Sequence, residues 1–504
     1  MYHIYYKNGL VFLSKKIYGD VQEKHIREIE KRSADYSFIA EHILDAPIEY
    51  LGGKNIPGDI NTDDLNRKLM RTGYPTARNV QGYPTDLFKK FDEEASCSRC
   101  GKEGPVKRNV ATIFPLESEW GKSGLCLVPP ERRLRFCKSC AFLIYSGMAG
   151  LYWTYSKRRL LRVIFDGDPD VLNYIWTEFK DAPRDESNFN SVRLRLMPHD
   201  GHELLLFFTY EFIRSLLGID LEKSPDDIFG LYGREGVECG DLGVEAVAGD
   251  GGGCGDRNEG RETLPILQRV DMHYVLSGEK IRDDVGVVEG DILYGLARFF
   301  AMLDELAKNG ELGSDKNGRT PSPFEAFMLT SVSCSRKNSS RRNKSPDEGG
   351  RSYEMVDNLV KYRNSICRGF LYKRVNFEAI SQIALERQKL GEQNPVPAYY
   401  GIIVTKYMEA FGMERELENY RRLNAFGYSL GREVKKTPLE RFVWEIFRAR
   451  GFEDLLNALS ELQLKRGMKQ NWDPIYDLKD EWKTAKAIIL NGMMNAIAEK
   501  KEVS

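Results

Sequence analysis

Two pairs of cysteines, each with two residues between its members, constrain the fold of this chain more than any other feature. Cys97 and Cys100 form the first pair, Cys137 and Cys140 form the second, and 36 residues separate the pairs. Each pair can direct two thiolates at one ion, and two pairs complete the tetrahedral four-sulfur shell of a structural zinc site. The spacing therefore predicts a Zn²⁺ module with these four cysteines as its ligands.

The residues around the cysteines favour a structural ion over a catalytic one. Gly101 follows the first pair, where a tight turn is required, and Arg99 and Lys138 carry charge opposite to that of a thiolate. Four thiolates leave no open position for a catalytic water. The alternative is a module that keeps its fold through buried cysteines without a metal ion.

Length and composition limit the class of protein. The chain has 504 residues, of which 30% are charged and 11% are aromatic, and its formal net charge is −1. A single hydrophobic core rarely grows beyond about 250–300 residues, so we expect two or more domains and a chain that is not disordered throughout. The first residues lack the pattern of a signal peptide, and the uncharged run 139–156 is too short and too rich in small residues to span a membrane. We therefore expect a buried helix in that run and a cytoplasmic protein without membrane contact.

The amino-terminal part, residues 1–285, is expected to have an α+β fold. Tyr2, Ile4 and Tyr6 alternate ahead of Asn8-Gly9, which is a strong hairpin signal and predicts that the chain opens with two strands. A further strand is predicted over 160–165, followed by a turn and a helix through Trp176. The zinc module is inserted at about 91–150, and the glycine-rich acidic composition of 230–262 predicts a flexible loop.

Residues 286–504 are expected to form a helical carboxy-terminal bundle. Apolar residues recur at helical spacing from Ile292 to Leu306, and Thr437-Pro438-Leu439-Glu440 has the pattern of a capping box that starts a helix ending near Gly451. The last helix carries an apolar stripe over 478–497. The basic polar tract 331–351 predicts a second flexible loop.

The chain resembles the CXXC-CXXC family of large subunits of type I CRISPR effector (Cascade) complexes. The resemblance depends on the two cysteine pairs with Gly101, on Phe114-Pro115-Leu116, on the segment 362–374 and on Leu456-Asn457-Ala458-Leu459. It covers the whole chain, although cysteine pairs of this kind occur in many zinc proteins.

The resemblance implies a non-catalytic subunit of an antiviral surveillance complex. Its partners would be a CRISPR guide RNA with the backbone and guide-end-binding subunits, double-stranded target DNA with its displaced strand, and a helicase-nuclease recruited on target binding. Such a subunit recognises a protospacer-adjacent motif and stabilises the opened DNA, because base pairing with the guide reads the remaining sequence.

Local groups of basic residues are candidates for nucleic-acid binding in a chain whose net charge is close to zero. The segment 361–374 interleaves cations with aromatic residues and contains no acid, which suits a track for a single strand. Two loops, 52–55 and 74–81, have the side chains that could read groove edges. A solvated helix face or an ordinary turn is the alternative for each group. The candidate residues are Lys54, Asn55, Arg78, Asn79, Lys157, Arg158, Arg341, Arg342, Lys361, Arg363, Arg368, Lys373 and Arg374.

The competing hypothesis is a stand-alone zinc-binding, metal-dependent nuclease. His199, Asp200 and His202 resemble a fragment of a metal-dependent phosphohydrolase site. The chain has only 6 histidines, and such a site needs further ligands on helices. We therefore interpret the cluster as a turn between a strand and an apolar run, and expect no enzyme activity.

Overall fold

The fold is known from a computed structural model of the chain. It is mostly helical, with two small sheets and a cluster of four cysteines. The structure describes residues 2–43, 45–50, 91–108, 134–155, 159–179, 201–216, 266–278, 284–309, 361–389, 396–434, 440–466 and 472–498. The predicted loops 230–262 and 331–351 and most of the predicted capping box lie outside these residues.

The chain divides into two compact units. Unit 1 consists of residues 1–220 and 237–294, and unit 2 consists of residues 221–236 and 295–504. The division falls between Tyr294 and Gly295, inside one helix, whereas the sequence analysis placed it after residue 285. All seven strands of the described residues lie within 93–288.

The first helix corrects the prediction of an opening hairpin. Residues Tyr2–Tyr18 form α1, and Asn8 and Gly9 lie in its middle. The Asn8 amide donates hydrogen bonds to the carbonyl oxygens of Ile4 and Phe165, both at 2.9 Å. A Cβ at Gly9 would lie 2.0 Å from the carbonyl oxygen of Leu143, so glycine permits a close helix crossing. Tertiary packing thus overrides the local turn signal of Asn-Gly.

Helices of unit 1 surround the cysteine module and its neighbouring sheet. They are α2 (Glu23–Arg32), α3 (Tyr36–His42), α4 (Asp45–Tyr50), α5 (Lys138–Ser146), α6 (Pro169–Glu178) and α7 (Gly201–Leu216). The predicted buried helix over 139–156 is correct only as far as Ser146. A 3-10 turn, Gly147–Gly150, and a strand follow.

A four-stranded antiparallel sheet forms the centre of unit 1. Its order is β4-β5-β6-β7, with β4 Leu151–Tyr155, β5 Arg159–Gly167, β6 Val270–Gly278 and β7 Asp284–Val288. Side chains of β5 alternate between the two faces. Phe165 stacks on Phe212 of α7 with ring centroids 4.3 Å apart, while Ile164 joins the core that contains Tyr5 and Phe12 of α1. The predicted strand over 160–165 and the helix through Trp176 are both present as β5 and α6.

A three-stranded antiparallel sheet carries the cysteines. Its order is β1-β2-β3, with β1 Glu93–Ser96, β2 Glu103–Arg108 and β3 Arg135–Cys137. Arg135 Nε lies 2.9 Å from Glu93 Oε1, which links the two outer strands. Because α5 begins directly after β3, the second cysteine pair lies at the start of a helix.

The described residues of unit 2 are helical. Helix α8 (Gly290–Lys308) enters it at Gly295, and its later members are α9 (361–371), α10 (Phe377–Lys389), α11 (Val396–Ala410), α12 (Glu414–Val434), α13 (Glu440–Arg448), α14 (Phe452–Arg466), α15 (Asp473–Tyr476) and α16 (Trp482–Ala498). The predicted apolar stripes of α8 and α16 are largely buried, as Leu296 and Ile489 illustrate at 0% exposure. Within the described part of the chain, no helix is both long enough and apolar enough to cross a membrane.

Glycines bring α12 and α16 unusually close together. A Cβ at Gly427 would lie 2.2 Å from the carbonyl oxygen of Ile489, and a Cβ at Gly492 would lie 2.3 Å from that of Asn424. An aromatic cluster supports the neighbouring helices, where Phe370 stacks on Tyr407 at 4.3 Å and the Tyr407 hydroxyl donates to the Phe370 carbonyl at 2.8 Å.

Candidate metal centre

The four predicted cysteines lie together in the structure. Their four Sγ atoms all lie within 4.8 Å of one another, and Cys100 Sγ lies 3.8 Å from Cys137 Sγ. Zinc–sulfur bonds of about 2.3 Å in a tetrahedron place two sulfurs about 3.8 Å apart. The cluster therefore matches the dimensions of a four-thiolate shell, and it can hold a metal ion.

The first cysteine pair lies on a tight turn between β1 and β2. The Gly101 amide donates to the Cys97 carbonyl at 2.9 Å, and the Cys97 amide donates to the Lys102 carbonyl at 2.9 Å. Gly101 has φ +71°, a left-handed conformation that glycine adopts without steric cost. The turn therefore directs the Cys97 and Cys100 side chains towards one point, as the sequence predicted from Gly101.

The second pair is positioned by the change from strand to helix. Cys137 ends β3 and is the N-cap residue of α5, and Cys140 lies in the first turn of that helix. The Cys137 amide donates to Cys97 Sγ at 3.3 Å, which couples the two pairs. Negative charge is favoured near a helix N-terminus, so this position also stabilises thiolates.

The thiols of the cluster perturb one another. Hydrogen bonds from Cys137 and Cys140 lower the pKa of Cys97 strongly, whereas hydrogen bonds with Cys137 and Cys97 raise the pKa of Cys140. The pKa of Cys137 is about 11, because its hydrogen bond with Cys140, which lowers it, is outweighed by its hydrogen bond with Cys97 and by burial. One thiolate is therefore favoured by its neighbours, and four thiolates need a cation to compensate their charge.

The nearby cations are engaged with aromatic rings. The Arg99 guanidinium carbon lies 4.2 Å from the centroid of the Tyr6 ring, and Lys138 Nζ lies 5.1 Å from that of Tyr36. From the sequence, both residues were expected to offset the negative charge of the thiolates. Their ring contacts attach the module to α1 and to α3, so they also anchor the module to the rest of unit 1.

The structure places only some of the predicted nucleic-acid-binding residues. Lys361, Arg368, Lys373 and Arg374 are exposed, whereas Arg363 is only 3% exposed. Arg363 shares the buried face of α9 with Ile366, Cys367 and Phe370, so its guanidinium does not belong to the exposed surface. The remaining candidates lie outside the described residues: Lys54, Asn55, Arg78, Asn79, Lys157, Arg158, Arg341 and Arg342.

Two of the exposed cations, Arg368 and Arg374, line a groove at the end of α9. The groove has a volume of about 570 Å³ and is lined by residues that include Arg368, Tyr372 and Arg374. The Arg374 amide donates to the Gly369 carbonyl at 2.8 Å, and Lys373 has φ +53°. This is a Schellman-type helix end in which lysine takes the left-handed position that usually belongs to glycine.

The predicted histidine cluster does not lie in a turn as far as it is described. His202 is the second residue of α7 and is 7% exposed, and its Nε2 lies 3.0 Å from Asp284 Oδ2 on β7. His199 and Asp200 lie outside the described residues. Tertiary packing of the apolar run that follows extends the helix back to Gly201, which corrects the turn interpretation at that residue and His202.

Comparisons with known proteins add no relative to these observations. No family model, no curated protein and no solved structure matches the chain. The geometry itself defines a protein with a four-cysteine module that can bind a metal ion.

Proposed function

We propose that the four cysteines bind a structural Zn²⁺ and that the chain is a non-catalytic subunit of a nucleoprotein complex. The more specific proposal is the large subunit of a type I CRISPR surveillance complex, with an α+β amino-terminal region and a helical carboxy-terminal bundle. The single observation that carries the proposal is the closed arrangement of four sulfurs on two pairs. The identity of the complex is proposed from the sequence resemblance alone. The proposed partners of the chain are the guide RNA, the target DNA and the helicase-nuclease.

The donor set favours a structural ion. Four protein thiolates fill the tetrahedral shell, whereas catalytic zinc keeps one position for water or substrate. Thiolates also prefer zinc over the hard cations that nucleases commonly use. Within the described ranges, no other group of three or more His, Cys, Asp or Glu side chains is placed to hold a metal ion. These observations support binding over turnover.

The groove at the end of α9 supports contact with nucleic acid. Arg368 and Arg374 provide two cations for phosphates against one carboxylate, Glu378, and Tyr372 is 36% exposed beside them and provides an aromatic face.

The nuclease alternative receives no comparable support. His202 lies in a helix and contacts a carboxylate of the neighbouring strand, and within the described residues it belongs to no group of metal ligands. His202 is therefore better explained as a buried residue that links α7 to β7.

The composition of the native complex tests the proposal. The tagged full-length chain would be purified under mild conditions, and its partners identified by mass spectrometry and RNA sequencing. We expect guide RNA with CRISPR backbone subunits, and no cleavage of DNA by the isolated chain with Mg²⁺, Mn²⁺ or Zn²⁺. Metal-dependent cleavage that is lost in His202→Ala but kept in Cys140→Ser would contradict the proposal.

Charge reversal tests the groove separately. In Arg368→Glu with Arg374→Glu, we expect weaker binding of single-stranded DNA and a salt slope reduced by about 1.4, because each phosphate contact to a single strand contributes about 0.7. Arg27→Glu, on the exposed face of α2, is the control for a simple change of charge. Equal salt slopes in all variants would remove the groove from the binding surface.

A further inference from the structure

A second cleft lies between helices of unit 2, separate from the cysteines. It has a volume of about 620 Å³, is open to solvent and is lined by α11, α12, α16 and the end of α8. Polar side chains on three helices line it: Thr405, Lys406, Tyr420, Asn424, Tyr428 and Asn495. Three of these, Tyr420, Asn424 and Tyr428, recur every four residues and so share one face of α12.

A buried hydroxyl faces the cleft. Tyr420 is 3% exposed, and the Asn491 side chain is the hydrogen-bonding neighbour of its hydroxyl. Burial raises the pKa of Tyr420 to about 12, and the nearby Asn491 amide opposes the shift. A Cβ at Gly401 would lie 3.2 Å from this hydroxyl, so glycine leaves room beside it. A phenol hydroxyl can both donate and accept a hydrogen bond, so it can bond to a ligand in addition to Asn491.

Two carboxamides flank the hydroxyl from facing helices. Asn424 on α12 and Asn495 on α16 are both half-buried. Among the described residues, neither side chain takes part in a hydrogen bond. Each amide offers a donor and an acceptor, so together they form a polar surface that a planar ligand with both kinds of group can satisfy.

The rim of the cleft carries one excess positive charge. Lys406 Nζ and Arg421 Nη2 both lie 3.0 Å from a carboxylate oxygen of Glu409. One carboxylate compensates only one of the two cations. Arg421 is also 60% exposed, so its guanidinium remains accessible to an anionic group of a ligand.

We propose that this cleft binds a nucleotide unit. The amides match the donor and acceptor edge of a base, the Tyr428 ring offers an aromatic surface, and Arg421 with Lys406 offers charge to the phosphate. The volume lies within the range of small-molecule sites. The unit is a free nucleoside monophosphate or one nucleotide of a single strand, which share this chemistry. The inference does not require the chain to be a CRISPR subunit.

Titration of the full-length protein tests the proposal. The four nucleoside monophosphates and a short single-stranded oligonucleotide would be titrated by calorimetry. Saturable binding of a monophosphate identifies the free nucleotide, and binding of the oligonucleotide alone identifies a strand. Either result supports the proposal only if substitutions in the cleft weaken the binding. Absence of binding in both titrations would overturn it.

Variants separate the cleft from the groove near α9. Tyr420→Phe and Asn495→Ala should each weaken binding about fivefold, the usual effect of one hydrogen bond, without lowering the melting temperature. Arg421→Ala should weaken binding. The neighbouring residue Arg422 faces Asp477, so Arg422→Ala is the matched control and should keep the affinity. Equal affinity in all these variants would overturn the proposal. If Tyr420→Phe lowers the melting temperature and leaves the affinity unchanged, the hydroxyl has a structural role, and this result would also overturn the proposal.

Discussion

Removal of one thiolate should unfold the cysteine module without affecting unit 2. The ion would connect Cys97 and Cys140 and so close a loop of about 44 residues, which corresponds to about 4 kcal/mol of chain entropy in the unfolded state. Three thiolates retain part of the affinity, so we expect Cys140→Ser to cost about 2–4 kcal/mol and to lower the melting temperature of unit 1 by about 5–15 °C.

The response to a chelator distinguishes this effect from a packing defect. Thermal unfolding would be followed by circular dichroism with and without a strong zinc chelator. The chelator should destabilise the native chain more than Cys140→Ser, because the three remaining thiolates of the variant hold the ion less tightly. Cys367→Ser, a buried cysteine in unit 2, is the control and should keep the full response to the chelator. If the native chain melts at the same temperature with and without the chelator, the ion does not hold the module together.

Three further predictions follow from individual contacts. Gly147→Ala should cost more than about 2 kcal/mol in chemical denaturation, because its Cβ would lie 1.9 Å from the Tyr5 carbonyl oxygen, and an unaltered midpoint would contradict this crossing. Tyr407→Phe should cost about 1–3 kcal/mol by leaving the Phe370 carbonyl without its donor, whereas equal stability would show that water replaces it. Burial lowers the pKa of His273, so the folded protein favours the neutral imidazole. The contribution of this residue to the free energy of unfolding is complete above the unfolded pKa of about 6.5 and is lost as the pH falls towards the lower folded pKa. His273→Gln should therefore flatten the acid dependence of urea unfolding, and an equally steep curve would refute the assignment.

The sequence was sufficient for features that depend on short spacing. The cysteine pairs converge because a tight turn and a helix start position each pair locally, so no long-range contact is needed to predict them. The strand over 160–165 and the apolar stripe of α8 were also predictable, because their periodicity matches how they pack. The prediction of an opening hairpin was wrong because long-range contacts decide the conformation there. Asn8 bonds to the Phe165 carbonyl and Gly9 packs against the Leu143 carbonyl, and both partners are far away in the sequence.

The burial of Arg363 was predictable from the phase of its helix. It lies three, four and seven residues before Ile366, Cys367 and Phe370, which places it on their buried face. The prediction of one binding surface over 361–374 considered only that cations alternate with aromatic residues. It did not consider which face of the helix each residue occupies. The cleft at Tyr420 was not predictable, because it depends on how four helices pack and on the space that Gly401 leaves.

The docking of α1 against α5 and the 3-10 turn has a consequence for protein synthesis. Helix α1 is synthesised before α5, and Gly147, which receives α1, follows about 130 residues later, an interval of roughly 6–26 seconds at 5–20 residues per second. During that interval the apolar side chains of α1, such as Ile4 and Leu13, have no packing surface from α5. A nascent chain arrested before residue 138 should therefore bind chaperones more strongly than one arrested after residue 167.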